Sequence, residues 1–201
     1  MAARHLTESG WPVQLALQGS RSALTGDAAH HAALWKGAVK PFSPELLDRA
    51  DVVVDAIFGA GLARPVDGVA REMIDAMTTR KKSICAVDVP SGLDGATGLV
   101  QGAAAPAEIT VTFFRKKPGH MLFPGRLLCG VVILADIGTP EDVLVGISAR
   151  THENGPELWR EAYPLPRADG QKYSRGHALI PGGEAITGYS RLTPRGALRT
   201  G

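Results

Sequence analysis

Two apolar runs of strand length dominate the hydrophobic pattern, Val52-Val-Val-Asp55-Ala-Ile-Phe58 and Ile84-Cys-Ala-Val87-Asp88-Val. Each meets an acid and then gives way to glycine, proline or serine. That is how a buried parallel strand delivers a carboxylate to the rim of a sheet. Between them, Gly68 to Arg80 carries Val69, Ala70, Met73, Ile74 and Met77 at helical spacing, which predicts an amphipathic helix packed back on the sheet. Strand 51–57, this helix and strand 83–88 form a parallel crossover, a connection that is right-handed almost without exception. Two further runs, Glu108 to Phe114 and Leu128 to Ile137, predict two more strands.

Upstream, Met1 to Ser9 reads as a helix closed by Gly10, and Trp11 to Leu17 as a strand. Leu24 to Trp35 reads as a helix with Thr25 or Asp27 as its cap. Ser43-Pro44-Glu45 is a cap followed by proline at the first helical position, opening a short helix to Arg49. The expected fold class is α/β, a three-layer αβα Rossmann-like arrangement around a mostly parallel sheet. Such a fold normally opens on a strand and a phosphate-binding turn. Here the chain opens on a helix, so the first strand and the glycine-rich loop are expected to be missing.

The texture changes after Thr139 to mixed charges, prolines and isolated aromatics such as Trp159 and Tyr163. The expected organisation is one domain over 1–145, a linker over 146–169, and the start of a second domain over 170–201. In that last part Gln171 onward reads as a strand entering a glycine turn at Gly182 and Gly183, then a helical stretch from Ile186 to Arg199. A stretch this short cannot bury a core of its own.

Composition narrows the function classes. A formal net charge of +2 over 201 residues gives no bulk electrostatic case for nucleic acid or an anionic membrane. No apolar run reaches the ~18 residues of a membrane span, and the N-terminus has no signal-peptide pattern. The 2 cysteines, Cys85 and Cys129, make no disulfide framework and read as packed thiols of a cytoplasmic protein. His30 and His31 are adjacent on a helix, about 100° apart, and cannot share a metal as an i, i+4 pair can.

In an open α/β sheet ligands bind beyond the carboxyl ends of the strands. Asp55, Asp88, the loop Gly59-Ala60-Gly61-Leu62-Ala63-Arg64-Pro65 and the Ser91-Gly92 turn would therefore share one crevice. The loop reads equally as a tight turn or as a cradle for phosphate, with Arg64 adding a charge-assisted bond. Arg64 stands where a dinucleotide fingerprint would have its third glycine. An acid at the end of a buried strand needs a cation, a ligand hydroxyl or backbone amides to offset its desolvation. With the Ser91 hydroxyl these acids offer only oxygen ligands, which suit a hard cation rather than zinc. Ser91 lacks the G-x-S-x-G elbow of a serine hydrolase. Arg115-Lys-Lys-Pro-Gly119-His120 leaves a strand end as a basic cluster, read either as solvated or as facing an anionic ligand.

Several segments in order, Asp55 to Pro65, Ala86 to Asp94, Thr110-Val-Thr-Phe113, Lys117-Pro-Gly119 and Ala135-Asp-Ile-Gly138, resemble the NAD(P)H-hydrate epimerases, domains of the YjeF N-terminal type. Lys172-Tyr-Ser-Arg-Gly-His177 with Gly182-Gly183 looks like the opening of the ADP- or ATP-dependent dehydratase domain of bifunctional repair enzymes. The resemblance implies interconversion of the S and R epimers of hydrated NADH or NADPH. Asp55 and Ser91 would help bind a potassium ion, Gly59 to Pro65 would hold substrate phosphates, and Asp88 would bind substrate and transfer the proton. The family's asparagine- and glycine-rich loop is not found, so the chain reads as a fragment of a bifunctional enzyme that binds substrate poorly. Two rival readings are a non-catalytic scaffold on the same fold and the dehydratase activity of a full-length bifunctional protein. Self-association is left open by the sequence.

Overall fold

Helix α1, Ala2–Glu8, ends in a Schellman turn: Gly10, at φ +87°, donates its N–H to Thr7 O, and Trp11 donates to Leu6 O. The computed structural model describes residues 1–163, 165, 168–171, 176–181 and 187–200. Strand β1 covers only Leu15–Leu17, shorter than the pattern predicts, because Pro12 near its expected start has no N–H to give a ladder. Helix α2, Gly26–Leu34, follows Thr25 at the cap position. Strand β2, Val39–Pro41, was not legible in the pattern; it is three residues long and ends on proline. It pairs in parallel with β1, Leu15 opposite Val39, as a separate two-stranded sheet.

The predicted helix from Ser43 is a 3-10 turn, Pro44–Arg49, and leads into β3, Val52–Asp55. Helix α3, Gly68–Thr79, crosses to β4, Ser83–Val87; β5, Ile109–Phe113, follows. Helix α4, Gly125–Leu128, precedes β6, Val131–Ala135, and α5, Val143–Ile147, comes after it. The four strands pair in parallel in the order β3-β4-β5-β6. The register sets Asp55 beside Ala86, Ala86 beside Thr110, and Thr110 beside Val132.

Because side chains alternate along a strand, this register assigns each residue to a face. Val53, Asp55, Ile84, Ala86 and Thr110 lie on one face, where Ala70, Met73, Ile74 and Met77 of α3 are buried with Leu47, Val66, Ala103, Ala105 and Ala107. Val69, the fifth apolar position of that helix, is exposed. Burying a side chain such as Ile74 stabilises the fold by about 1.5–3 kcal/mol, which fixes α3 against the sheet. On the other face Val52, Val54, Val131 and Ile133 remain between 45% and 65% exposed.

Contacts divide the chain into Met1–Thr151 and His152–Gly201. The second unit holds α6, Pro156–Trp159, and α7, Thr187–Thr200, which matches the helical stretch read from Ile186. Of the stretch read as a strand entering a glycine turn, Gln171 and residues 176–181 form no strand, while Lys172 to Arg175, Gly182 and Gly183 lie outside the described residues. No helix among the described residues is long and apolar enough to cross a membrane.

Candidate active site

Strand β3 ends on Asp55 and β4 one residue before Asp88, so parallel pairing brings both acids to one edge of the sheet. Asp55 is 1% exposed and Ser91 fully buried. Ser91 donates its N–H to Asp55 Oδ2 at 2.8 Å and its hydroxyl to Asp55 Oδ1 at 2.5 Å, while Ile57 N–H reaches Oδ1 at 3.3 Å. Ser91 Oγ also accepts the N–H of Phe58 at 2.9 Å. Burial pushes the Asp55 carboxyl above its ordinary value, against the pull of these hydrogen bonds. Among the described residues no Lys, Arg or His forms an ion pair with it. A buried carboxylate with only neutral donors, next to a hydroxyl and the Phe58 carbonyl 3.3 Å from that hydroxyl, is an all-oxygen setting that suits a hard cation. No group of three or more His, Cys, Asp or Glu among the described residues could hold a metal.

Asp88 takes the left-handed backbone conformation, φ +71°, in which Asp and Asn are the tolerated residues after glycine. Its N–H donates to Val111 O of β5. Its carboxylate is met from three sides: Ala60 N–H at Oδ2, 3.1 Å; Thr112 hydroxyl at Oδ1, 3.0 Å; and Lys117 Nζ at Oδ1, 2.5 Å. Burial raises the carboxyl, but the Lys117 and Ala60 hydrogen bonds and the Lys117 charge outweigh it and hold Asp88 below its ordinary value. His120 bridges the two backbones, its Nδ1 accepting Lys117 N–H and its Nε2 bonded to Asp88 O. Burial lowers the His120 pKa, and the tautomer with Nε2–H satisfies both contacts.

The glycine loop links the two acids. The two residues before it donate Ile57 N–H to Asp55 and Phe58 N–H to Ser91; within the loop Ala60 N–H goes to Asp88 and Leu62 N–H to Gly59 O. The N–H groups of Gly59, Gly61, Ala63 and Arg64 stay outside the described hydrogen bonds, while Pro65 has none to give. Gly61 has open space where a Cβ would stand, so packing does not demand glycine there. Gly92 is the opposite case: at φ +91° its Cβ would lie 1.7 Å from Ala103 O. Arg64 is exposed at the loop's end.

The basic cluster does not act as one patch. Lys117 serves Asp88, whereas Arg115 pairs with Glu141 at 2.7 Å and stacks over Phe114 at 4.6 Å. Thr112, Lys117 and His120 were not singled out as site residues from the sequence. Thr110-Val-Thr112 alternation and the Lys-Pro-Gly turn were visible, but the pairing of β5 beside β4 was not. A cleft of about 530 Å³ lies elsewhere, against Gln18, Gly19, Arg21 and Lys40 at the ends of β1 and β2. The polar groups around Asp55 and Asp88 hold one another closely.

A family model described as YjeF-related protein N-terminus matches residues 1–119. The bifunctional NAD(P)H-hydrate repair enzyme Nnr of Thermofilum pendens is 33% identical over 217 aligned positions, covering 100% of this chain and 40% of that protein. The enzyme of the same name from Coxiella burnetii is 34% identical, covering 99% of this chain and 42% of its own length. The NAD(P)H-hydrate epimerase of Limosilactobacillus fermentum is 44% identical over 93 positions, 46% of this chain and 45% of that one. The crystal structure of yeast ynu0 shares the fold, with a TM-score of 0.54 at 19% identity over 76% of this chain and 66% of that one. The chain thus spans about two fifths of the bifunctional relatives it matches. With the family match covering more than half of its residues, the chain belongs to the family of YjeF-related protein N-terminal domains.

Proposed function

We propose that this chain carries the epimerase site of an NAD(P)H-hydrate repair enzyme and interconverts the S and R forms of hydrated NADH or NADPH. One observation carries the reading: the backbone from Ile57 to Ala60 ties Asp55, Ser91 and Asp88 into one constellation, and the Gly59–Pro65 loop it runs into has four N–H groups outside the described hydrogen bonds. Those amides would take the substrate phosphates, with Arg64 adding charge. Asp55 and Ser91 would hold a potassium ion, which when bound would neutralise the buried carboxylate beside the phosphate loop. The substrate follows the names of the relatives, and the ion follows the oxygen groups at Asp55 and Ser91.

The hydroxylated ring carbon can invert by ring opening: as the hydroxyl loses its proton a C=O bond forms and the C–N bond breaks, its electron pair passing to the ring nitrogen, and that nitrogen then recloses on the other face of the carbonyl. The hydroxyl proton leaves and later returns, so a single group can serve both directions. Asp88 Oδ2 is that group: it is ionised, held by the Ala60 N–H, and keeps one acceptor direction beside the loop. The low carboxyl pKa also makes it a ready donor once protonated.

The test supplies one purified epimer of hydrated NADPH and follows the other by chromatography in potassium buffer. Wild-type protein should exceed the spontaneous rate, and Asp88→Asn, which keeps a residue tolerant of φ +71°, should lose about 100-fold of that excess. Equal rates for the two proteins would remove Asp88 from the reaction. A wild-type rate equal to the spontaneous one would remove the reaction itself.

A further inference from the structure

Lys117 lies between β5 and the 3-10 turn Pro118–His120, with its side chain 27% exposed. An ammonium carries three N–H donors and no acceptor. Three oxygens surround this one: Asp88 Oδ1 at 2.5 Å, Thr112 Oγ1 at 2.8 Å and Phe113 O at 3.3 Å. Lys117 therefore has no donor left for a substrate. Thr112, fully buried, accepts from Lys117 and turns its own hydroxyl proton to Asp88 Oδ1. Oδ1 is saturated by these two bonds. Oδ2 takes a single bond, from Ala60 N–H, and stands 3.4 Å from where a Cβ on Gly59 would be. The one unspent acceptor direction of the carboxylate thus belongs to the oxygen beside the glycine loop.

We propose that Lys117 is a positioning residue: together with Thr112 it locks Asp88 through Oδ1, so that only Oδ2 faces the Gly59–Pro65 loop to receive a proton from a ligand hydroxyl. Its role in catalysis rests on the epimerase reading of the site; the lock itself rests on the bonds above. His120 keeps the lock in register, because the same imidazole holds Lys117 N–H and Asp88 O. The charged and titratable groups acting at this point are Lys117 and His120, with Lys116 acting on His120; from the β3 side the loop presents the neutral Ala60 amide.

The experiment compares the wild-type 201-residue chain, Lys117→Met and Lys117→Arg in two ways. The first is the ¹³C titration of the Asp88 carboxyl, assigned with Asp88→Asn. The second is steady-state interconversion of the NADPH-hydrate epimers. In Lys117→Met the titration midpoint should rise by about one unit or more. Its kcat should fall roughly tenfold or more with KM within about twofold, the mark of a lost transition-state interaction. Lys117→Arg should restore the midpoint but not the full kcat, since a planar fork cannot meet three acceptors arranged around a point charge. A midpoint in Lys117→Met equal to wild type, or a defect carried by KM alone, overturns the proposal. Should Lys117→Met fail to fold, Thr112→Val removes one bond to Oδ1 and must also raise the midpoint; an unchanged midpoint there overturns it as well. If wild type interconverts no epimers, the epimerase reading fails, and the carboxyl titration alone decides whether Lys117 holds Asp88.

Discussion

Asp55 and Asp88 sit one strand apart, yet their surroundings push them in opposite directions. Asp55 is raised by burial and met only by neutral donors, whereas Asp88 is held low by Lys117 and the Ala60 amide in spite of its own burial. For Asp88 the folded pKa lies below the unfolded one, so it stabilises the fold above the ordinary value of 3.8 and loses that contribution as pH falls through the folded value. Urea melts should show wild type losing more stability than Asp88→Asn between about pH 5 and pH 2. Parallel curves would mean the bonds to Asp88 do not favour its charged form. The potassium reading makes a separate claim on Asp55. A ligand that binds only the folded state raises the unfolding temperature by mass action. Wild type should melt higher in potassium chloride than in N-methylglucamine chloride of equal ionic strength, and Asp55→Asn should melt alike in both. Equal wild-type melts would end that assignment.

At the level of elements, the two glycine-bearing turns have different reasons for their glycines. Gly92 is required by the fold, since it combines φ +91° with a backbone oxygen where its Cβ would stand. Gly61 has neither constraint, so close approach of a ligand is the remaining reason for a residue without a side chain. Gly61→Ala should leave the unfolding free energy within about 1 kcal/mol of wild type, or raise it slightly, while weakening binding of hydrated NADPH. Gly92→Ala should lower stability strongly in the same denaturant titration. An unchanged affinity in Gly61→Ala would remove the loop from substrate binding. Helix α3 was legible from its apolar spacing because four of the five positions named there are buried against a sheet that needs such a cover. The short β2 carried no such signal, because three residues ending in proline have no period to read.

For the molecule as a whole, the four-stranded sheet has one face covered at β3 and β4 by α3 and its partners and one face with exposed Val52, Val54, Val131 and Ile133. An apolar surface of this kind binds hydrophobic dyes. Anilinonaphthalene sulfonate should fluoresce on the native protein, and Val54→Lys with Ile133→Lys should dim it while leaving the unfolding midpoint unchanged. Undiminished fluorescence would place the dye elsewhere. The sequence by itself determined what local chemistry controls: two buried runs each closed by an acid, an amphipathic crossover helix, and glycine and serine at the turns beyond. Parallel pairing of two such runs follows from the crossover, so the meeting of Asp55, Asp88, the loop and Ser91 was legible before any coordinates. Only the tertiary structure decided that β5 lies beside β4, which brings Thr112, Lys117 and His120 around Asp88 from more than twenty residues away. The reason is physical: strand order is set by which faces and edges bury best together, a non-local quantity that no spacing along the chain records.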